Sequence, residues 1–156
     1  MRIIQQTSAI FRHVSGRASR SAFSIVPVVF LVALIWPFGG GGHKVQMMAG
    51  TAVPGAQATI TLKTSDNRNT ELDIKAQNLA QPSSLTPAEN VYVVWIEPPG
   101  QSAQNQGQLR VGQNENGELH TETAFKRFQV FITAEQNAQV QMPSGPKVLS
   151  ADIAGS

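Results

Sequence analysis

Val91-Tyr92-Val93-Val94-Trp95-Ile96-Glu97 is the most apolar run in the C-terminal two-thirds of the chain, and its reading decides the fold. β-Branched and aromatic side chains dominate it, which suits a pleated strand. Successive side chains of a strand point to opposite faces. Val91, Val93 and Trp95 therefore fall on one side, with Tyr92, Val94 and Ile96 on the other. A run that is apolar on both sides belongs in a sheet interior or beneath a covering loop. Pro98-Pro99-Gly100 ends it, because neither proline can donate to a ladder.

Working outward, the period stays at two. Ala58, Ile60 and Leu62 alternate with Gln57, Thr59, Thr61 and Lys63. Ser65-Asp66-Asn67-Arg68-Asn69 has the chemistry of a turn, and Leu72, Ile74 and Ala76 alternate on the returning strand. Val45–Ala52 reads either as a first edge strand or as more linker. On the other side, Leu109 and Val111 point inward from Gly107–Gly112, and Asn114-Glu115-Asn116-Gly117 reads as an Asn-Gly hairpin turn. Glu118–Thr123 returns from it, and Phe128, Val130 and Ile132 alternate in the next strand. Glu135-Gln136-Asn137 turns the chain, Val140 and Met142 face inward, and Lys147–Ile153 closes the domain. About seven to eight short strands with no helix between them predict an all-β, immunoglobulin-like antiparallel β-sandwich. The expected core is Ile60, Leu62, Leu72, Ile74, Val93, Trp95, Leu109, Val111, Phe128, Val130 and Ile132.

The N-terminal third is of another kind. Ala22–Phe38 (AFSIVPVVFLVALIWPF) carries no charge, and Arg2, Arg12, Arg17 and Arg20 precede it without a single acid. Basic flank, apolar run and small residues are the order of a secretory signal and also of a signal-anchor helix. The length of the run, the long leader and a weak cleavage site favour a retained single-pass transmembrane helix, with Trp36 and Phe38 at the interface. By the positive-inside rule the N-terminus is cytoplasmic and the domain extracytoplasmic, at the cell (inner) membrane. The expected organisation is a basic leader over 1–21, the membrane helix over 22–38, a Gly-rich linker over 39–52 and the sandwich over 53–156.

Charge follows the same division. Residues 1–44 carry +5 and residues 45–156 carry −3, which together make the net +2. A phosphate-binding surface needs clustered Lys and Arg on the folded part. Here they are scattered among acids, so nucleic acid is not an expected partner. The chain has no cysteine, which excludes thiol catalysis, disulfides and cysteine metal sites.

Few constellations carry chemistry. Glu118, His120 and Glu122 share one face of a strand, so two carboxylates flank an imidazole, a set that could hold a divalent ion. Read against Leu119 on the opposite side, they are a solvated outer face. Asp66-x-Arg68 and Glu71-x-Asp73 read as turn chemistry and an exposed hairpin face. Tyr92, Trp95, Phe128 and Phe131 could form an aromatic platform for a ligand, but strand spacing makes them core. No Gly-x-Ser-x-Gly elbow and no glycine-rich loop before a helix occur. No catalytic residue, cofactor or metal is therefore assigned.

Three pieces recur together in one known family. They are Tyr92–Ile96 running into Pro-Pro-Gly, the Gly-x-Leu-x-Val segment Gly107–Val111, and Phe128–Thr133 leading through a glutamate turn to Pro143-Ser144-Gly145-Pro146-Lys147-Val148-Leu149. In that order, over Glu89–Leu149, they resemble the extracytoplasmic C-terminal domain of the anti-sigma-K-factor family. The resemblance implies a sensing or scaffolding role and a sigma-regulatory protein as partner. The family carries a cytoplasmic sigma-binding domain of several helices, often with a His/Cys zinc motif. Here 21 residues precede Ala22, with no cysteine. The resemblance thus implies the outer half without the inhibitory half.

The expected function is a non-enzymatic, membrane-tethered domain that binds or senses something outside the cytoplasm. Loops at one end of the sandwich (Gln81–Asn90, Pro98–Gln106 and Met142–Pro146) would carry the binding. The alternatives are a regulatory partner of a separate anti-sigma factor, or a secreted sandwich of structural or adhesive role.

Overall fold

The structure, a computed structural model, describes residues 42–155. Eight strands follow one another: β1 His43–Ala49, β2 Gln57–Thr64, β3 Thr70–Gln77, β4 Val91–Glu97, β5 Gln104–Val111, β6 Gly117–Thr123, β7 Phe128–Glu135 and β8 Lys147–Ile153. Between β3 and β4, Pro82–Ser84 makes a single 3₁₀ turn. The strands pair antiparallel in the order β1-β2-β3-β6-β5-β4-β7-β8, and β8 pairs back onto β1. The fold is therefore a closed barrel, which corrects the expected immunoglobulin-like sandwich.

Closure depends on two strands that change partners part-way. β1 pairs with β2 from His43 to Met47, then with β8 at Met48 and Ala49. β5 pairs with β4 from Gln104 to Leu109, then with β6 at Arg110 and Val111. A strand that bends from one sheet into the other makes a corner. In β5, Gln106 is the extra residue opposite Val94 and Trp95. Gly107 beside it sits at φ +117, a backbone conformation that glycine adopts readily. The Asn105 carboxamide oxygen accepts the Gly107 N–H at 2.8 Å. β1 falls inside the expected linker over 39–52 and overlaps Val45–Ala52, the stretch that reads as a first edge strand or more linker.

The expected membrane-spanning, signal-anchor helix is corrected too. Among the described residues no helix is long and apolar enough to cross a membrane. Ala22–Phe38, where that helix was expected, lies outside the described residues, so the structure lends it no support. Nor is the barrel of the lipid-facing kind, which needs an outward apolar band. Its interior is apolar, while Lys44, Gln46, Lys75, Glu118 and His120 are exposed on its outer surface.

An eight-stranded barrel is just wide enough for side chains to fill. Ile60, Leu72, Ile74, Tyr92, Val94, Ile96, Leu109, Val130 and Ile132 fill it, each at most 1% exposed. Leu62 and Val111, expected in the core, are only partly buried against it. Val93 and Trp95 are buried, but outside the barrel: with Phe131 they form a second cluster. Met142, expected to face inward, is 71% exposed.

The antiparallel order places the connections. The turns 65–69, 98–103 and 124–127 lie at the end where the described chain enters β1 and leaves β8. The connections 50–56, 78–90, 112–116 and 136–146 lie at the far end. That end is knitted shut. The Leu79 N–H donates to Glu115 O, and its side chain is fully buried. The Tyr92 hydroxyl donates to Ala80 O at 2.8 Å.

Candidate functional site

The three loops expected to act together do not share an end. The segments 81–90 and 142–146 lie at the far end, whereas Pro98–Gln106 begins at the entry end. At the entry end, the terminations of β4, β7 and β8 enclose an open groove of about 530 Å³. Two prolines follow β4, so the strand cannot continue to cover β7 and β8 there. Gly100 takes the turn at φ +73. Pro98, Phe128 and Ile153 supply buried apolar atoms to the floor. Glu97, Arg127 and Asp152 are exposed on the rim.

The rim charges are treated differently. Asp152 accepts the Gln129 carboxamide N–H at 3.0 Å, and Gln129 in turn accepts from Lys147 Nζ at 3.0 Å. Glu97 and Arg127 make no ion pair or side-chain hydrogen bond among the described residues. A concave apolar floor bounded by a few unspent polar groups is what a binding groove requires.

The strand β6 set is placed as a face. Glu118, His120 and Glu122 all point outward and are exposed. His120 Nδ1 lies 2.7 Å from Asp73 on the neighbouring strand β3, in place of either glutamate. That hydrogen bond, with the charges of His120 and Lys63 beside it, holds the Asp73 carboxyl below its ordinary range. Glu122 accepts the Ser65 hydroxyl at 2.9 Å, and this contact leads the causes that lower its pKa. Lys75 pairs with Glu118 at 3.5 Å. Among the described residues no cluster of three or more His, Cys, Asp or Glu has the arrangement of a metal site. Asp66 and Arg68 sit in the β2–β3 turn, where Arg68 adopts φ 67.

The four aromatic residues do not make one platform. Tyr92 and Phe128 point into the barrel, and Trp95 and Phe131 point out of it. The latter two stack at 6.4 Å between ring centroids, with 18° between planes. Lys147 Nζ caps the Phe131 ring at 4.1 Å from its centroid, a cation–π contact. Residues 136–146 cross over this pair, with Val140 packed on it. Asn105 holds the crossing segment through Ala138 O at 3.0 Å and Val140 O at 2.8 Å.

Beneath the same segment lies a buried carboxylate that local sequence reads as a turn residue. Glu135 is fully buried as the last residue of β7. Its oxygens accept from the Thr133 and Ser144 hydroxyls at 2.6 Å each, and from the Ser144 and Gly145 N–H groups at 3.0 and 3.2 Å. Trp95 Nε1 donates to the Thr133 oxygen at 2.8 Å. Burial pushes the Glu135 carboxyl upward, but the donors from Ser144, Thr133 and Gly145 outweigh it, and its pKa is lowered.

No protein-family model matches this chain, and no curated protein matches it.

Proposed function

We propose that this chain is a non-enzymatic, extracytoplasmic binding domain that takes an extended segment of a protein partner into the entry-end groove. The observation that carries the reading is the groove itself: an apolar floor of Pro98, Phe128 and Ile153 between the unspent charges of Glu97 and Arg127. An extended peptide offers apolar side chains on one face and backbone and charged groups at its margins, which is the complement of such a surface. Delivery outside the cytoplasm is supported by the basic and apolar sequence of residues 1–38. A sigma-regulatory protein is the partner that the resemblance at Glu89–Leu149 implies.

A random-peptide display library panned against the full chain tests the reading. Ala154 is exposed on the groove wall, so Ala154→Trp fills the groove without entering the core. Selected peptides are expected to lose at least about tenfold in affinity for Ala154→Trp and Arg127→Glu. They should be indifferent to Gln46→Trp, a change at an exposed position of β1 that does not line the groove. Peptides that bind Ala154→Trp as well as the parent would overturn the proposal.

A further inference from the structure

Residues 136–146 cover the outer aromatic cluster of Trp95 and Phe131. Asn105 holds their middle through Ala138 O and Val140 O, and one carboxylate fastens their C-terminal end. Glu135 meets only donors: two hydroxyls and two backbone N–H groups, three of those four from Ser144 and Gly145 of the strap itself. A carboxylate suits that arrangement because it is acceptor-only. A protonated carboxyl would bring an O–H into a shell already composed of donors. The Trp95–Thr133–Glu135 chain would have to turn at least one hydroxyl around.

No cation assists the carboxylate. Among the described residues the ion pairs are Lys63–Asp73, Lys75–Glu118 and His120–Asp73, none of them at Glu135. From the elements packed around it, two charged groups come near. Glu89, in the connection just before β4, is buried and accepts the Gln136 carboxamide at 2.7 Å. Lys147, at the start of β8, spends its ammonium on Phe131 and Gln129. The fastening at Ser144 and Gly145 is therefore hydrogen bonding to one negative charge, beside the neutral bonds that Asn105 makes to Ala138 O and Val140 O.

We infer that Glu135 is an acid-sensitive latch, and that its protonation frees the strap 136–146 and uncovers Trp95 and Phe131 while the barrel stays closed. The barrel's own closure does not pass through the Glu135 side chain, because β7 pairs through backbone groups with β4 from Gln129 to Glu135 and with β8 from Phe128 to Thr133. The strap, by contrast, contains no strand. Local release of a covering segment with the core intact is the expected order of events for such an element. The sign follows from the lowered carboxyl pKa. The latch is fully engaged above the ordinary glutamate value and is lost as pH falls through the folded-state value below it.

The test uses the full chain carrying Trp36→Phe, so that Trp95 is the sole tryptophan. Acrylamide quenching of Trp95 and the far-ultraviolet circular dichroism of the strands are followed from pH 7 downward. The expected result is a several-fold rise in quenching below about pH 4.5, before any loss of the strand signal. Ser144→Ala removes one donor at an exposed position and should move the rise to higher pH. Glu135→Gln should leave Trp95 quenchable at neutral pH with the strand signal retained. A rise in quenching that coincides with loss of the strand signal, quenching unchanged down to about pH 2, or a Ser144→Ala midpoint that does not move would each overturn the inference.

Discussion

Two outer faces of one barrel are built in opposite ways. Across β1, β2, β3 and β6 the outward side chains are Lys44, Thr59, Asp73, Lys75, Glu118 and His120, paired in water where they are paired at all. Across β4 and β7 they are Val93, Trp95, Phe131, Thr133 and Glu135, all at most 2% exposed under the strap 136–146. Exposed pairs on a strand face contribute about 0–1 kcal/mol each. A buried tryptophan contributes several times that. The comparison teaches that the barrel keeps its solubility on one face, and on the other puts the energy that holds a loop in place.

The largest break in this comparison comes from Trp95→Ala. It removes the stacked partner of Phe131 and the donor to Thr133, so a loss of about 3–5 kcal/mol is expected by urea denaturation. A value under about 1 kcal/mol would mean that the strapped face adds little to the fold.

Tyr92→Phe sharpens the contrast from inside the barrel. The lost hydroxyl leaves Ala80 O without its donor, at a cost of about 1 kcal/mol. Burial pushes the Tyr92 phenol from 10.0 up to about 12. Because the folded value is raised, this contribution is complete below pH 10 and is lost as pH climbs through about 12. Stability curves of the parent and Tyr92→Phe are therefore expected to converge in that window, and parallel curves would contradict it.

The smallest effect belongs to the polar face. His120→Ala should change stability by no more than about 0.5 kcal/mol, since the ring is 64% exposed. It should nonetheless raise the Asp73 carboxyl pKa, read by NMR titration, because His120 is the first cause of its lowering. A Trp95-sized loss at His120 would erase the distinction between the faces.

Much of the barrel can be read from local pattern. The alternation at Ile60, Leu72, Ile74, Val130 and Ile132 marks side chains that do fill the interior, because a period of two survives whatever the sheet does next. β4 shows how that reading stops short. Both of its sides are buried, as a doubly apolar run implies, but sequence cannot say which side is the barrel. The alternation groups Val93 and Trp95 with the core residues Ile60 and Val130, but they pack in the separate cluster outside the barrel. The candidate groove was harder still. Pro98-Pro99-Gly100 announces only a strand end, and its company with Arg127 and Asp152 is made by pairing across β4, β7 and β8. Glu135 gave no signal at all, since its donors are set by the return of Ser144 and Gly145 onto β7.

The amino-acid sequence by itself determined that residues beyond the N-terminal third form short strands with turns between them, because alternation and turn chemistry are local properties. Only the tertiary structure decided that the strands close into a barrel. Closure rests on Met48 and Ala49 reaching β8 and on Arg110 and Val111 reaching β6. The β5–β6 contact closes the hairpin that the Asn-Gly turn announces. The β1–β8 contact joins the two ends of the described chain through backbone groups, which are the same in every residue, so the side-chain pattern does not show which edge finds which.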